Sequence, residues 1–102
     1  MLEIRPNCEC CDKDLSPAAT DAMICTYECT FCADCVKNVL SNVCPNCGGG
    51  FTPRPIRPAI EHRKGLSICH QPPSQKRVLT KFSKEELKAL ADPLKSLRPE
   101  ER

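Results

Sequence analysis

Cys25-Thr26-Tyr27-Glu28-Cys29-Thr30-Phe31-Cys32-Ala33-Asp34-Cys35 packs four cysteines into a single short run. On its amino-terminal side stands Cys8-Glu9-Cys10-Cys11, and on its carboxyl-terminal side Cys44-Pro45-Asn46-Cys47. A Cys-x2-Cys pair closes a tight turn whose two thiolates reach one ion at about 2.3 Å from each sulfur, and tetrahedral zinc needs two such pairs. Eight thiolates in this order, Cys8, Cys11, Cys25, Cys29, Cys32, Cys35, Cys44 and Cys47, predict two all-cysteine sites and two Zn2+ per chain. No coordination position is left for a water. A closed site is structural, so the spacing points to metal-dependent folding and away from catalysis.

The composition asks for such a staple. The chain has 102 residues with no Trp, one Tyr and three Phe, and its first half is too short and too poor in aromatics for a self-sufficient core. Disulfides are the competing staple in a small cysteine-rich chain. However, Met1-Leu2-Glu3-Ile4-Arg5-Pro6 carries charges where a secretory signal has an apolar run. No stretch approaches the roughly 18 apolar residues of a membrane span. The expectation is a cytoplasmic setting with no membrane association, where thiols stay reduced and bind metal.

Charge divides the chain. The formal net charge of +2 becomes −2 when eight thiolates and two divalent ions are counted. Residues 1–50 carry 3 basic and 7 acidic side chains, and residues 51–102 carry 12 basic and 6 acidic. An acidic head precedes a basic tail.

The pattern predicts a small zinc-stabilised α+β domain over 1–50, a flexible proline-rich basic linker over 51–81, and a short amphipathic helical tail over 82–102. Within the first unit, Ala22-Met23-Ile24 and Thr30-Phe31 flank the Cys25-to-Cys29 turn as a short β-hairpin. Val36, Val39, Leu40 and Val43 stand at i, i+3, i+4 and i+7, marking a two-turn helix. Gly48-Gly49-Gly50 then releases the backbone. The run Phe51-Thr52-Pro53-Arg54-Pro55-Ile56-Arg57-Pro58 favours an extended, polyproline-like arm. Residues 59–79 have neither helical nor strand periodicity and are expected to be mostly disordered. Order returns at Ser83-Lys84-Glu85-Glu86, a capping box, with Phe82 placed to staple onto Leu87. Leu87, Leu90, Leu94 and Leu97 form an apolar stripe that docks on the chain's own module or on a partner, and Pro93 should kink or divide the helix.

The eight cysteines, with Phe31 before the fifth and Pro45 inside the last pair, resemble the RING-type, treble-clef cross-brace. That resemblance implies alternating ligation: Cys8, Cys11, Cys32 and Cys35 on one zinc, and Cys25, Cys29, Cys44 and Cys47 on the other. Sequential grouping, as in LIM domains, is the alternative. LIM domains place a hairpin between the sixth and seventh ligands, where this chain has helical periodicity. More specifically, residues 1–58 resemble a family of small bacterial proteins known only as a domain of unknown function. The shared runs are Arg5-Pro6-Asn7-Cys8-Glu9-Cys10-Cys11-Asp12-Lys13-Asp14-Leu15, Cys29-Thr30-Phe31-Cys32-Ala33-Asp34-Cys35 and Cys44-Pro45-Asn46-Cys47-Gly48-Gly49. This second resemblance implies a bacterial zinc protein and brings no activity with it. RING domains that act as ubiquitin ligases carry an apolar residue after the first ligand and often an arginine after the last. Here Glu9 and Gly48 stand in those places, which weakens a ligase reading.

Cys10, beside Cys11, reads as a spectator thiol or as an exchange ligand or redox sensor. Cys69-His70 has no second pair nearby, and His62 reads as a solvated residue. No Ser/His/Asp grouping and no phosphate-cradling glycine motif supports an enzyme. The sequence favours a zinc-held protein-interaction module with an unknown protein partner. Nucleic-acid binding through Arg54, Arg57, Arg63, Lys64, Lys76, Arg77, Lys81 and Lys84 is the second class, with Phe51 and Phe82 as its possible stacking residues. A zinc buffer or thiol redox sensor is the third.

Overall fold

The computed structural model describes residues 1–102. Strands β1 (Ala22–Ile24) and β2 (Thr30–Cys32) form the expected antiparallel hairpin, in the register Ala22 to Cys32, Met23 to Phe31 and Ile24 to Thr30. Glu28, at φ 67°, turns the chain just before Cys29. Helix α1 (Ala33–Asn38) follows β2 directly, so Cys32 lies at the helix cap and Cys35 inside its first turn. The helix is shorter than its apolar periodicity suggests. Ser41 and Asn42 adopt left-handed φ of 51° and 58° and end it, yet Val36, Leu40 and Val43 all reach the core.

A third strand, β3 (Thr52–Pro53), was not expected. It pairs antiparallel with β1, giving the order β2-β1-β3. Pro53 is tolerated because β3 lies at the sheet edge, where a missing N–H breaks no ladder. The arm expected over residues 51–58 is therefore partly sheet. Phe51, considered as a stacking residue for bases, is buried edge-on against Phe31 with ring centroids 5.4 Å apart and planes at 75°. That T-shaped pair is the aromatic centre of a core otherwise built from cysteines and from Leu15, Ala22, Val36, Leu40 and Leu87.

The structure departs from expectation at residues 59–79. They lack helix or strand, as their aperiodic sequence implies, but they lie along the module. Arg57 donates to the carbonyls of Leu2 and Gln71. The Ser74 N–H meets the carbonyls of Glu3 and Ile4. Asn7 brackets Val78, donating to its carbonyl at 2.9 Å and accepting its N–H at 3.2 Å. Residues 58–71 thus bond among themselves in turns, whereas the extended stretch 72–80 satisfies backbone groups on the head through Ser74, Val78 and Thr80.

Helix α2 (Lys84–Leu94) starts at the predicted capping box, with Ser83 and Glu86 bonded reciprocally. Its apolar stripe is different from the four leucines expected. Leu87 and Ala91, 4% and 3% exposed, face the core, whereas Leu90 and Leu97 are 36% and 38% exposed. The helix docks on its own module through an i, i+4 pair in which Ala91 allows close approach. Pro93 does not divide it, because it falls in the last turn, and a short 3-10 turn (Pro99–Glu101) follows. No helix is long and apolar enough to cross a membrane.

Candidate metal centre

Two of the cysteine turns are built alike. In the first, the Asp12 N–H donates to Cys8 O at 2.9 Å and the Cys8 N–H to Lys13 O at 2.8 Å. In the second, the Gly48 N–H donates to Cys44 O at 2.7 Å and the Cys44 N–H to Gly49 O at 2.8 Å. The residue after each pair is left-handed, Asp12 at φ 64° and Gly48 at φ 78°, which an aspartate tolerates and a glycine adopts freely. Backbone and side-chain N–H groups also point at sulfur: Cys11 N–H at Cys8 Sγ (3.5 Å), Tyr27 N–H at Cys25 Sγ (3.3 Å), Gly49 N–H at Cys47 Sγ (3.4 Å) and Asn46 Nδ2 at Cys29 Sγ (3.3 Å). Such donors stabilise negative charge on a thiolate.

The sulfurs of Cys8, Cys11, Cys32 and Cys35 lie within 4.8 Å of one another, and so do those of Cys25, Cys44 and Cys47. This grouping is crossed: the first pair joins the third, and Cys25 of the second pair joins the fourth. Cys25 and Cys29, nearer in sequence to Cys8 and Cys11, do not join them. A tetrahedron with bonds of about 2.3 Å has edges of about 3.8 Å, and Cys11 Sγ stands 3.8 Å from Cys32 Sγ. The donor set thus fits a metal ion. Cys29 is buried beside the second group, in reach of Cys25 and Cys44, but its sulfur is not within 4.8 Å of all the other three. Each group has one exposed member, Cys11 and Cys47.

Electrostatics point the same way. Burial pushes the thiols of Cys29, Cys32, Cys35 and Cys44 up, and neighbouring sulfurs add to this at all four. Cys11, at the rim, goes down: burial opposes this, but the Lys13 backbone and the surrounding thiols outweigh it. Crowded buried sulfurs resist ionisation together, and a divalent cation is the charge that deprotonates a coordinating thiol outright.

Cys10 lies half-buried against the core and outside both groups; burial raises its thiol, and Cys35 is the sulfur in reach. Cys69 is exposed. His70 belongs to an arrangement the sequence reading missed: its Nδ1 is 2.9 Å from Ser67 Oγ and its Nε2 is 3.3 Å from Glu61 Oε2. These side chains belong to the turn that runs from Ser67 to Gln71. Ser67 is buried, and its Oγ accepts the Cys69 N–H at 3.2 Å. The spacing Ser67-x2-His70 was its sequence signal.

In the sequence Glu9 stands out only as the residue after Cys8. Its carboxylate, 2% exposed, takes the Arg5 guanidinium at 2.8 Å and the Thr30 N–H at 2.5 Å, while the Glu9 N–H bonds Thr30 O at 2.9 Å. The first cysteine turn is thereby joined to β2, which carries Cys32. Burial alone would lower the Arg5 pKa, but Glu3 and Glu9 raise it further above its ordinary value.

Comparison with known proteins places this centre in its context. An uncharacterized protein of Rhizobium meliloti (strain 1021) is 61% identical over 64 residues, which cover 63% of this chain and 76% of that protein. No solved structure matches the chain. The family model described as "Protein of unknown function (DUF1272)" matches residues 1–57, a span that holds both cysteine groups, and the chain belongs to that family.

Proposed function

We propose that this protein is a two-zinc structural module, without chemistry of its own, that presents a rigid surface to a protein partner in the cytoplasm. The crossed cysteine grouping carries this reading. It would tie both ends of a small domain to ions through closed sites, with Cys29, beside Cys25 and Cys44, as the fourth thiolate of the second set. A four-thiolate zinc has no open position for water or substrate, which supports a non-catalytic role.

Two shallow hollows adjoin the Cys44–Cys47 turn. One is lined by Tyr27, Asn46 and Cys47, the other by Pro45, Phe82, Glu86, Ala89 and Leu90. Exposed apolar and aromatic groups gathered at one rigid turn support protein contact. The nucleic-acid reading has less support. Arg54 donates to the carbonyls of Arg5 and Ser16, Arg57 to those of Leu2 and Gln71, and Arg77 pairs with Asp12 and Asp14. Three of the cations considered for phosphate contact serve the head instead.

Affinity capture with the zinc-loaded chain, with and without nuclease, tests the proposal. Retention of the same protein partner after nuclease treatment is the expected result. Recovery that disappears with nuclease would overturn it in favour of nucleic-acid binding.

A further inference from the structure

The C-terminal segment is fastened at both cysteine turns. At the first, Arg77 meets Asp12 Oδ1 at 2.7 Å and Asp14 Oδ1 at 2.6 Å, Asn7 brackets Val78, and the Thr80 N–H donates to Glu9 O at 2.7 Å. At the second, Arg102 Nη1 donates to Asn42 O at 2.7 Å and to Gly48 O at 3.2 Å. Between these ends α2 buries Leu87 and Ala91 in the core.

The glycines after the last ligand are the seat of this segment. A Cβ on Gly48 would stand 3.3 Å from Leu94 Cδ1, and one on Gly50 would stand 2.8 Å from Pro99 Cγ, closer than real side chains come. The run that reads in sequence as a flexible release is therefore a docking surface. Each point of attachment also belongs to the backbone that aims a pair of sulfurs: Asn7, Glu9 and Asp12 frame Cys8 and Cys11, and Asn42 and Gly48 frame Cys44 and Cys47.

From this shared backbone we infer that residues 77–102 form a strap whose docking is coupled to retention of the two zinc ions. An ion that orders a cysteine turn orders the attachment point on it, and a docked strap restrains the turn from opening to release its ion. Coupling of this kind is reciprocal: loss of metal at one turn frees the strap end fastened there, and loosening the strap hastens loss of metal. The inference rests on the two-zinc reading above.

The test uses the zinc-loaded full chain and two variants. Gly50→Val introduces a side chain into the space of Pro99, and Leu87→Asp places a charge at the buried face of α2. Native mass spectrometry counts zinc before EDTA is added and at intervals afterwards, and amide exchange reports residues 82–102 separately from 7–48. Both variants are expected to start with two zinc ions, to exchange faster in the strap, and to lose zinc about tenfold faster than the wild type. Should either variant fail to load zinc, Arg77→Ala, which removes only the exposed contacts to Asp12 and Asp14 and leaves the core intact, decides the matter. A loosened strap with wild-type zinc loss overturns the coupling, as does a strap that stays protected in Leu87→Asp. A wild-type chain that carries no zinc instead overturns the functional reading itself, and the two failures are distinct at the first measurement.

Discussion

Withdrawing zinc is expected to unfold residues 7–48. Structural zinc contributes on the order of 10–16 kcal/mol in comparable small domains, while whole domains are stable by only about 5–15 kcal/mol. Without the ions the core retains one aromatic pair, Phe31 on Phe51, and a few aliphatic side chains packed among thiols. The hairpin strands have three residues each and α1 has six, lengths that do not persist alone. The amide spectrum of the chelated protein should collapse to random-coil shifts. Retained dispersion would mean that side-chain packing alone holds the fold.

Arg5→Met should be the most damaging substitution outside the cysteines. It leaves Glu9, almost fully buried, without its cation, and breaking a buried pair in this way costs about 3–5 kcal/mol. Because Glu9 also accepts the Thr30 N–H, replacing it with an apolar residue would orphan that donor. Adding Glu9→Gln to Arg5→Met keeps an acceptor while removing the charge, so the double variant should recover much of the loss. Chemical denaturation of the zinc-loaded proteins measures both. A loss below about 1 kcal/mol for Arg5→Met, the size of an ordinary surface change, would show that Glu9 is not held by its charge partner.

The features that were readable in the sequence are those with local grammar. Cysteine spacing marked the candidate ligands, seven of which stand in the two groups, while their crossed pairing came from the RING-type resemblance; Ser83 with Glu86 marked the start of α2, and the residues around Cys25–Cys29 marked the hairpin. The path of the extended segment along the head was not readable, because Asn7 and Val78 meet across 71 positions through bonds that leave no periodic trace. Charge misdirected the reading for a related reason. The basic tail looked available to phosphates, whereas Arg54, Arg57 and Arg77 answer carbonyls and carboxylates of the acidic head. The leucine stripe misled because helical periodicity cannot tell which of two adjacent faces docks. Ala91, small enough to approach the module, displaced Leu90 from that face. Gly48 and Gly50 read as flexibility in sequence because a glycine that makes room and one that bends the chain are written with the same letter.

The crossed grouping is tested most directly by replacing zinc with the NMR-active cadmium isotope and correlating each metal with the cysteine β-protons bonded through its sulfurs. The account predicts two metal signals. One should couple to Cys8, Cys11, Cys32 and Cys35, the other to Cys25, Cys29, Cys44 and Cys47, with Cys10 and Cys69 coupled to neither. A signal shared by Cys8, Cys11, Cys25 and Cys29 would contradict it.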